Sequence, residues 1–147
     1  VDLPKVLDKV CLLHETHRQK NGLEVTVECP EDLHVRTDEQ LLLEILSNLI
    51  HNAYKYTPKG GKVSVRALKE GKKIRIDVSD TGCGIPLAEQ GKIPGKFFRA
   101  SNITNPAESG TGIGLYMIYN IGRLIDGTIS FVSKENKGTT FSLLFPS

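Results

Sequence analysis

Apolar residues near the start of the chain recur with a helical period and then with a strand period. A first amphipathic helix is predicted to start at Asp2, which can cap it, and to end at about Asn21. Its apolar positions are Val6, Val10 and Leu13. Apolar and polar residues then alternate strictly from Leu23 to Cys29, which predicts a half-buried strand.

A second, longer helix is predicted from Thr37 to about Lys55, because Thr37 and Gln40 have the spacing of a capping box. One arc of this helix is apolar and predicts the face that packs in the core. That arc contains Leu42, Ile45, Leu46, Leu49 and Ala53. A polar stripe runs beside it and contains Glu44, Asn48, Asn52 and Lys55.

Alternating positions in the second half of the chain predict two hairpins separated by an irregular run and a helix. The predicted segments are strands over 63–67 and 74–78, an irregular run from Asp80 to about Gly112, a helix from about Ile113 to Leu124, and strands over 129–133 and 141–145. Strands joined by short turns pair antiparallel. The order of elements therefore predicts an α+β fold, a two-layer α/β sandwich whose mixed sheet of about five strands carries three helices on one face. All 147 residues are expected to form a single domain.

Composition excludes several classes of function. A formal charge of +2, from 19 Lys and Arg against 17 Asp and Glu, provides no broad basic surface for nucleic acid. No apolar run approaches the ~20 residues that span a bilayer. The three cysteines contain no C-x-x-C pair, which favours a reducing, cytoplasmic setting over a disulfide framework or a zinc knuckle. The unusual feature is glycine, since half of the 14 glycines lie within the 33 residues from Gly82 to Gly114.

The first candidate for chemistry is Asp80, which ends a predicted strand and is followed by Gly82 and Gly84. Its carboxylate could accept a hydrogen bond from an exocyclic amine such as that of adenine, and the glycines would let a flat molecule approach the backbone. A tight turn with a solvated aspartate explains this segment equally well.

The second candidate is the run Gly110-Thr111-Gly112-Ile113-Gly114-Leu115, which leads into a predicted helix. Free N–H groups at a helix start, reached by a glycine loop, form an anion site suited to phosphates. The spacing fits neither G-x-G-x-x-G nor the P-loop. A flexible loop is the alternative.

The third candidate is the pair Asn48 and Asn52, one helical turn apart on the polar stripe. An amide oxygen can ligate Mg²⁺, whose remaining ligands would be phosphates and water. Two solvated amides are the alternative, although asparagine is a mediocre helix former and two in one helix need a reason.

Together, these segments resemble the ATP-binding catalytic domain of sensor histidine kinases, within the superfamily of gyrase, Hsp90, histidine kinases and MutL. Their order and spacing carry the resemblance more than any one of them. Residues Asn48–Pro58 are similar to the family's N box, Asp80–Pro86 to its G1 box, Phe97–Arg99 to its F box, Gly110–Leu115 to its G2 box, and Gly138–Phe141 to its closing G-T-x-F. The resemblance covers essentially the whole chain.

The resemblance implies the Bergerat-type ATP-binding fold, with a mobile ATP lid at about residues 87–109, and a site for ATP or ADP with Mg²⁺. Asn52 would ligate Mg²⁺, with Asn48 and Lys55 near the phosphates. The implied catalytic residues are Asn48, Lys55 and Arg99. Asp80 would receive the adenine amine, and Thr139 would help to hold the base through water. The other implied nucleotide-binding residues are Tyr56, Gly82, Gly84, Ile85, Gly110, Thr111, Gly112, Ile113, Gly114 and Leu115.

Asn48 bears on the reaction. Hydrolytic relatives such as gyrase place a glutamate four residues before the Mg²⁺-ligating asparagine, to activate water, and this chain has Asn48 there. The resemblance therefore implies transfer of the γ-phosphoryl group to a histidine on a separate dimerisation domain of the same parent kinase, with a response regulator downstream. The chain alone is expected to be monomeric, without the phosphoacceptor domain, and not inserted in a membrane.

Two other functions stay open. Pro94-Gly95 stands where the family usually has an aromatic anchor for the lid, so a nucleotide-sensing module that has lost phosphotransfer is one alternative. An anti-sigma-type serine kinase is the other, although that class usually has a glutamate at position 48.

The histidines are expected to be ordinary helix-face residues rather than ligands. His14-Glu15-Thr16-His17 is one residue short of the H-E-x-x-H zinc motif and lacks the surroundings of a phosphoacceptor. We expect the same of His34 and His51.

Overall fold

The computed structural model describes residues 1–84 and 113–147, with side chains from residue 118 onward in the second range. Its elements are α1 (Leu3–Leu13), α2 (Glu15–Asn21), β1 (Glu24–Glu28), α3 (Glu39–Tyr56), β2 (Lys62–Glu70), β3 (Lys73–Asp80), α4 (Ile113–Leu124), β4 (Thr128–Lys134) and β5 (Gly138–Pro146).

The five strands form one mixed sheet in the order β1-β2-β3-β5-β4. β1 pairs in parallel with β2, because the chain crosses back through α3, and the other pairs are antiparallel. The predicted α+β fold with a five-stranded mixed sheet is therefore confirmed.

The core lies between one face of the sheet and the helices. Alternate residues are buried over 63–67 of β2, 74–78 of β3 and 139–145 of β5, as expected of strands that have one face in the core. α3 is the main helix against this face, and the entire apolar arc predicted for it is buried together with Ile50 and Tyr54. The three inward apolar residues of β3, at positions 74, 76 and 78, lead directly to Asp80.

The prediction of a single first helix is wrong, so the described residues contain four helices rather than three. Asp2 does cap α1, through a bond from the Lys5 N–H at 3.3 Å. The helix then breaks at His14, whose φ of −108° and ψ of 12° are not helical. Leu13, one of the apolar positions of the predicted helix, lies at the break and is 61% exposed.

The predicted capping box of α3 is also wrong. Asp38, rather than Thr37, is the N-cap, and its Oδ1 accepts the Leu41 N–H at 3.0 Å. At the other end the buried Thr57 hydroxyl donates to the Ala53 carbonyl at 2.5 Å. α3 thus ends at Tyr56, one residue later than predicted.

β1 is less buried than its alternation predicts. It is an edge strand, and Val27 is 40% exposed, whereas the fully buried Leu23 precedes the strand. Exposed pairs of opposite charge, Glu24 with Lys62 and Glu28 with Arg66, join its outer face to β2. Within the described ranges, no helix is long and apolar enough to cross a bilayer.

Candidate functional site

Three polar side chains form a row at one end of the sheet, which we call the strand-end row: Asp80, Thr139 and Ser133. The sheet register aligns Asp80 of β3 with Thr139 of β5, and Thr139 with Ser133 of β4. Cross-strand partners point to the same face, and the row lies two residues from the apolar row Val78, Phe141 and Phe131. The strand-end row therefore forms the polar end of the core, on the helix side of the sheet.

The backbone holds one carboxylate oxygen of Asp80 firmly. Oδ1 accepts the Gly82 N–H at 2.8 Å and the Thr139 N–H at 3.3 Å. Within the described ranges, the other oxygen, Oδ2, accepts no hydrogen bond. The carboxylate is thus fixed in orientation and has one oxygen available for a ligand.

Burial raises the pKa of Asp80 to about 6, although the two backbone N–H donors act in the opposite direction. Desolvation disfavours the charged carboxylate. A ligand that donates a hydrogen bond to Oδ2 would offset part of this cost, so the site is best suited to a donor group.

Glycines allow three chain segments to meet around Asp80. A Cβ on Gly82 would lie 2.6 Å from the carbonyl oxygen of Tyr56 at the end of α3. Gly84 has φ +68° and Gly138 has φ +117°, and a Cβ on either would collide with the backbone of Lys134 or Asp80, respectively. These glycines therefore let the protein's own backbone segments pack closely, a role that the sequence prediction of ligand approach did not include.

The α3 residues that are predicted to act near the phosphates lie at increasing distances from Gly82. Tyr56, the last residue of α3, adjoins Gly82 through its carbonyl, and the Lys55 Nζ lies 5.5 Å from the centre of the Tyr56 ring. Asn52 and Asn48 lie about 6 Å and about 12 Å back along the helix axis from Tyr56. Both are half-buried, and the Asn48 amide nitrogen donates to the Glu44 carbonyl at 2.9 Å.

Comparison with known proteins gives the family. The model of the histidine kinase-, DNA gyrase B-, and HSP90-like ATPases matches residues 37–147, about three quarters of the chain. The chain belongs to this ATPase family. Within the family it is similar to the catalytic ATP-binding domain of sensor histidine kinases, which confirms the resemblance drawn from the sequence.

Two similar proteins are histidine kinases. The chain is 33% identical over its whole length to the sensor-like histidine kinase SenX3 of Mycobacterium tuberculosis and covers 36% of that protein. It is also 33% identical to histidine kinase P4 of Formosa agariphila, over 99% of this chain and 11% of that protein. The chain therefore spans about a third or less of these two relatives.

Solved structures agree with the fold. The catalytic domain of histidine kinase ThkA superposes with a TM-score of 0.85 at 29% identity, covering 99% of this chain and 93% of that one. ThkA in complex with the response regulator protein TrrA superposes with a TM-score of 0.78 at 26% identity, covering 99% of this chain and 40% of that one.

Part of the ATPase site predicted from sequence lies outside the described residues. This part comprises Ile85, Arg99, Gly110, Thr111, Gly112 and the lid at about 87–109. α4 begins at Ile113 and ends at Leu124, as predicted, so the backbone of Ile113, Gly114 and Leu115 is helical. Among the described site residues, Tyr56, Asp80, Gly82 and Thr139 are brought together.

Ser133 is the member of the strand-end row that sequence reasoning missed as a site residue. Its signal was weak: it is the polar member of the alternating set Ile129, Phe131 and Ser133. Alternation gives the face of a residue, but only the register shows that Ser133 lies beside Thr139.

Three of the histidines form a second polar cluster, which we call the histidine cluster: His14, His17 and His51, packed around the buried Tyr54. The ring centroid of His51 lies 5.4 Å from that of His14 and 5.9 Å from that of His17. His14 Nε2 hydrogen-bonds the Ser47 Oγ at 2.9 Å. Burial lowers the pKa of His14 and of His51, and the neighbouring histidines lower both further. No group of three or more His, Cys, Asp or Glu in the described residues is arranged to hold a metal.

Proposed function

We propose that this chain binds Mg-ATP and donates the γ-phosphoryl group to a histidine on a separate dimerisation domain of the same parent kinase. The observation that carries the proposal is the Asp80 carboxylate, half-buried at the strand end, held through Oδ1 and available through Oδ2. The family match and the histidine kinase relatives support the same reaction class.

The base would bind at the strand-end row. Asp80 Oδ2 would accept a hydrogen bond from the adenine amine, and Thr139 would hold the base through water. Tyr56, Ile85 and Leu115 would line the pocket. ADP would bind in the same way, since its base is the same.

The phosphates would lie between the start of α4 and the polar stripe of α3. The first backbone N–H groups of a helix have no intrahelical partner and favour an anion, and α4 begins directly after the run Gly110–Gly112. Gly114 lies within the first turn of α4. Lys55 and Arg99 would add positive charge there.

The donor set fits Mg²⁺ that is shared with a nucleotide. The described residues offer no acidic cage, and Mg²⁺ commonly takes one or two protein ligands with phosphates and water. Asn52 would supply one neutral amide oxygen from the polar stripe of α3. Bound there, the ion would neutralise charge on the phosphates.

Transfer is favoured over hydrolysis because the α3 stripe lacks a base at the required place. Asn48 cannot take a proton from water, and its amide nitrogen is already bonded to the Glu44 carbonyl. Glu44 is exposed and lies about 12 Å along the helix from Asn52. The stripe would therefore position phosphates without activating water.

The partners of the reaction follow from the family. One ThkA structure is a complex with the response regulator protein TrrA. We extend this to the present chain: a histidine-bearing dimerisation domain would receive the phosphoryl group, and a response regulator would take it in turn. The domain would act in the cytoplasm, as part of two-component signalling.

The test uses radiolabelled ATP, Mg²⁺ and a histidine-bearing dimerisation domain with the 147-residue chain. We expect acid-labile label on the dimerisation domain and little free phosphate. Asn52→Ala should abolish the transfer, because the metal loses its protein ligand. Glu44→Gln is the matched control on the same stripe and should retain it.

Each other outcome points to one alternative. Brisk phosphate release without transfer would contradict the argument from Asn48. Nucleotide binding without transfer would favour the sensing module, and acid-stable label on a serine would favour the serine kinase. Full transfer by Asn52→Ala would exclude its metal role.

A further inference from the structure

We propose that Ser133 is a positioning residue for the nucleotide base. It would act by fixing the direction of the Thr139 hydroxyl. This inference rests on the proposed function, because it concerns the same base site. No motif of the family resemblance includes Ser133.

The Ser133 side chain lies at the β4–β5 turn. The Ser133 Oγ donates to the Gly138 carbonyl at 3.2 Å and lies 2.7 Å from the Thr139 Oγ1. Ser133 is half-buried and Thr139 is 7% exposed, so both bonds are largely shielded from water. One serine hydroxyl thus contacts both residues that begin β5.

The donors and acceptors at this turn fix the direction of each hydrogen bond. The Gly138 carbonyl can only accept, and a serine hydroxyl has one proton. All three atoms are satisfied when Ser133 donates to Gly138 and Thr139 donates to Ser133. In this arrangement the Thr139 proton points towards β4.

This arrangement determines which hydrogen bonds a ligand can form with Thr139. With its proton directed to Ser133, the Thr139 Oγ1 presents only lone pairs elsewhere. The neighbouring Asp80 Oδ2 is also an acceptor in the ionised carboxylate. A water or ligand group at the row must therefore donate to Thr139. Without Ser133 the hydroxyl would rotate among its staggered positions and lose this fixed role.

The Thr139 backbone links the same contact to Asp80. The Thr139 N–H donates to Asp80 Oδ1, and Ser133 bonds the carbonyl and side chain on either side of that N–H. Ser133 therefore supports Thr139 at the point where it also orients the carboxylate.

The experiment is a double-mutant cycle on ADP binding to the 147-residue chain, measured by calorimetry. Ser133→Ala should weaken ADP binding about threefold to tenfold, the effect of one oriented hydrogen bond. In a Thr139→Val background the same change should have little further effect, because the hydroxyl that Ser133 orients is gone. Ser133→Thr keeps a hydroxyl on a β-branched residue and should restore binding.

Ser130→Ala is the matched control, since Ser130 lies on the same strand but on the opposite, exposed face. It should bind ADP like the wild type. The unfolding midpoint of each variant is measured alongside, so that a loss of binding through a loss of folding is recognised.

The outcomes separate the two proposals. If the wild-type chain binds ADP but Ser133→Ala costs the same in both backgrounds, or Ser133→Thr does not rescue, this inference is wrong and the proposed function stands. If the wild-type chain fails to bind ADP, the proposed function fails and this inference fails with it.

Discussion

Polar groups cluster in two places, the strand-end row and the histidine cluster, and the protein holds them differently. In the strand-end row the backbone fixes Asp80 through two N–H groups, and Ser133 bonds Thr139. In the histidine cluster the rings lie mainly against one another and against Tyr54, with a hydrogen bond from His14 to Ser47.

The same physical cause acts in both places, with opposite effects on pKa. Burial raises the pKa of Asp80 and lowers that of His14, because it disfavours the charged form of each. The histidine rings pack against one another and against Tyr54. The carboxylate is held in one orientation, with an oxygen to spare. A shifted pKa therefore does not by itself mark a site; an oriented group with unused hydrogen-bonding capacity does.

The largest effect is expected from Gly138→Ala, which tests how the backbone holds the strand-end row. Gly138 has φ +117°, and an added Cβ would collide with the Asp80 carbonyl, so the strand-end row would have to shift. We expect the free energy of unfolding to fall by about 3 kcal/mol or more, with loss of ADP binding. Denaturant unfolding and calorimetry measure the two effects.

The control for that change is Gly22→Ala, where φ is +59° but no atom lies within 4 Å of the new Cβ. Only the backbone cost of about 1 kcal/mol is expected there. Equal losses at both glycines would show that the close packing at the strand end is unimportant.

The next largest effect is expected from Asp80→Asn, which should weaken ADP binding and stabilise the free protein. Binding should fall by about 1–3 kcal/mol, because the amide replaces a charged acceptor and can present a donor to the adenine amine. The folded-state pKa of Asp80, about 6, lies above its unfolded value. The stability that this carboxyl contributes is therefore complete below about pH 4 and is lost as the pH rises through 6.

An uncharged amide avoids that loss. At pH 8 the variant should unfold with a free energy higher by up to about 3 kcal/mol, and the difference should shrink towards pH 4. Urea titrations at the two pH values measure it. If Asp80→Asn and wild type differ in free energy of unfolding by the same amount at pH 8 and at pH 4, desolvation does not disfavour the charged Asp80.

The smallest effect is expected in the histidine cluster, from His14→Gln. Because the pKa of His14 is lowered on folding, its stabilising contribution is present above pH 6.5 and is lost as the pH falls through the folded-state value. Glutamine can still bond Ser47 but does not take up the proton. The variant should lose less stability than wild type between pH 7 and pH 5, while ADP binding at pH 7.5 is unchanged.

The comparison for this change is His34→Gln, since His34 is exposed and lies outside the histidine cluster. Urea unfolding across the pH range measures both variants. If His34→Gln flattens the pH dependence more than His14→Gln, the cluster is not the acid-sensitive element.

Long periodic segments could be predicted from sequence, because burial of one face imposes their period. The bounds of α4 and the inward set of β3 that leads to Asp80 were predicted correctly. The N-cap of α3 was not, because Thr37 and Asp38 are neighbours and both residue types cap helices. The break at His14 lacks a glycine or proline signal, and the side chain there bonds Ser47, 33 residues away.

The candidate site was predictable to the extent that its members fall in motifs. Asp80 and Thr139 could be named from their segments, but the bond from Asp80 to the Thr139 N–H depends on pairing across 59 residues. Ser133 has no motif, and its role follows only from strand register. What sequence reasoning missed at the site was thus set by strand pairing and register rather than by local propensity.

The sheet order also has a consequence for folding. β2 with β3, and β4 with β5, are local hairpins, whereas β3 with β5 is a long-range pair. Local contacts tend to form before distant ones, because distant contacts must first overcome the entropy of loop closure. The strand-end row takes Asp80 from one hairpin and its partners from the other, so it is assembled only when the hairpins dock. Nucleotide binding would therefore report, during refolding, the moment at which the two halves of the sheet join.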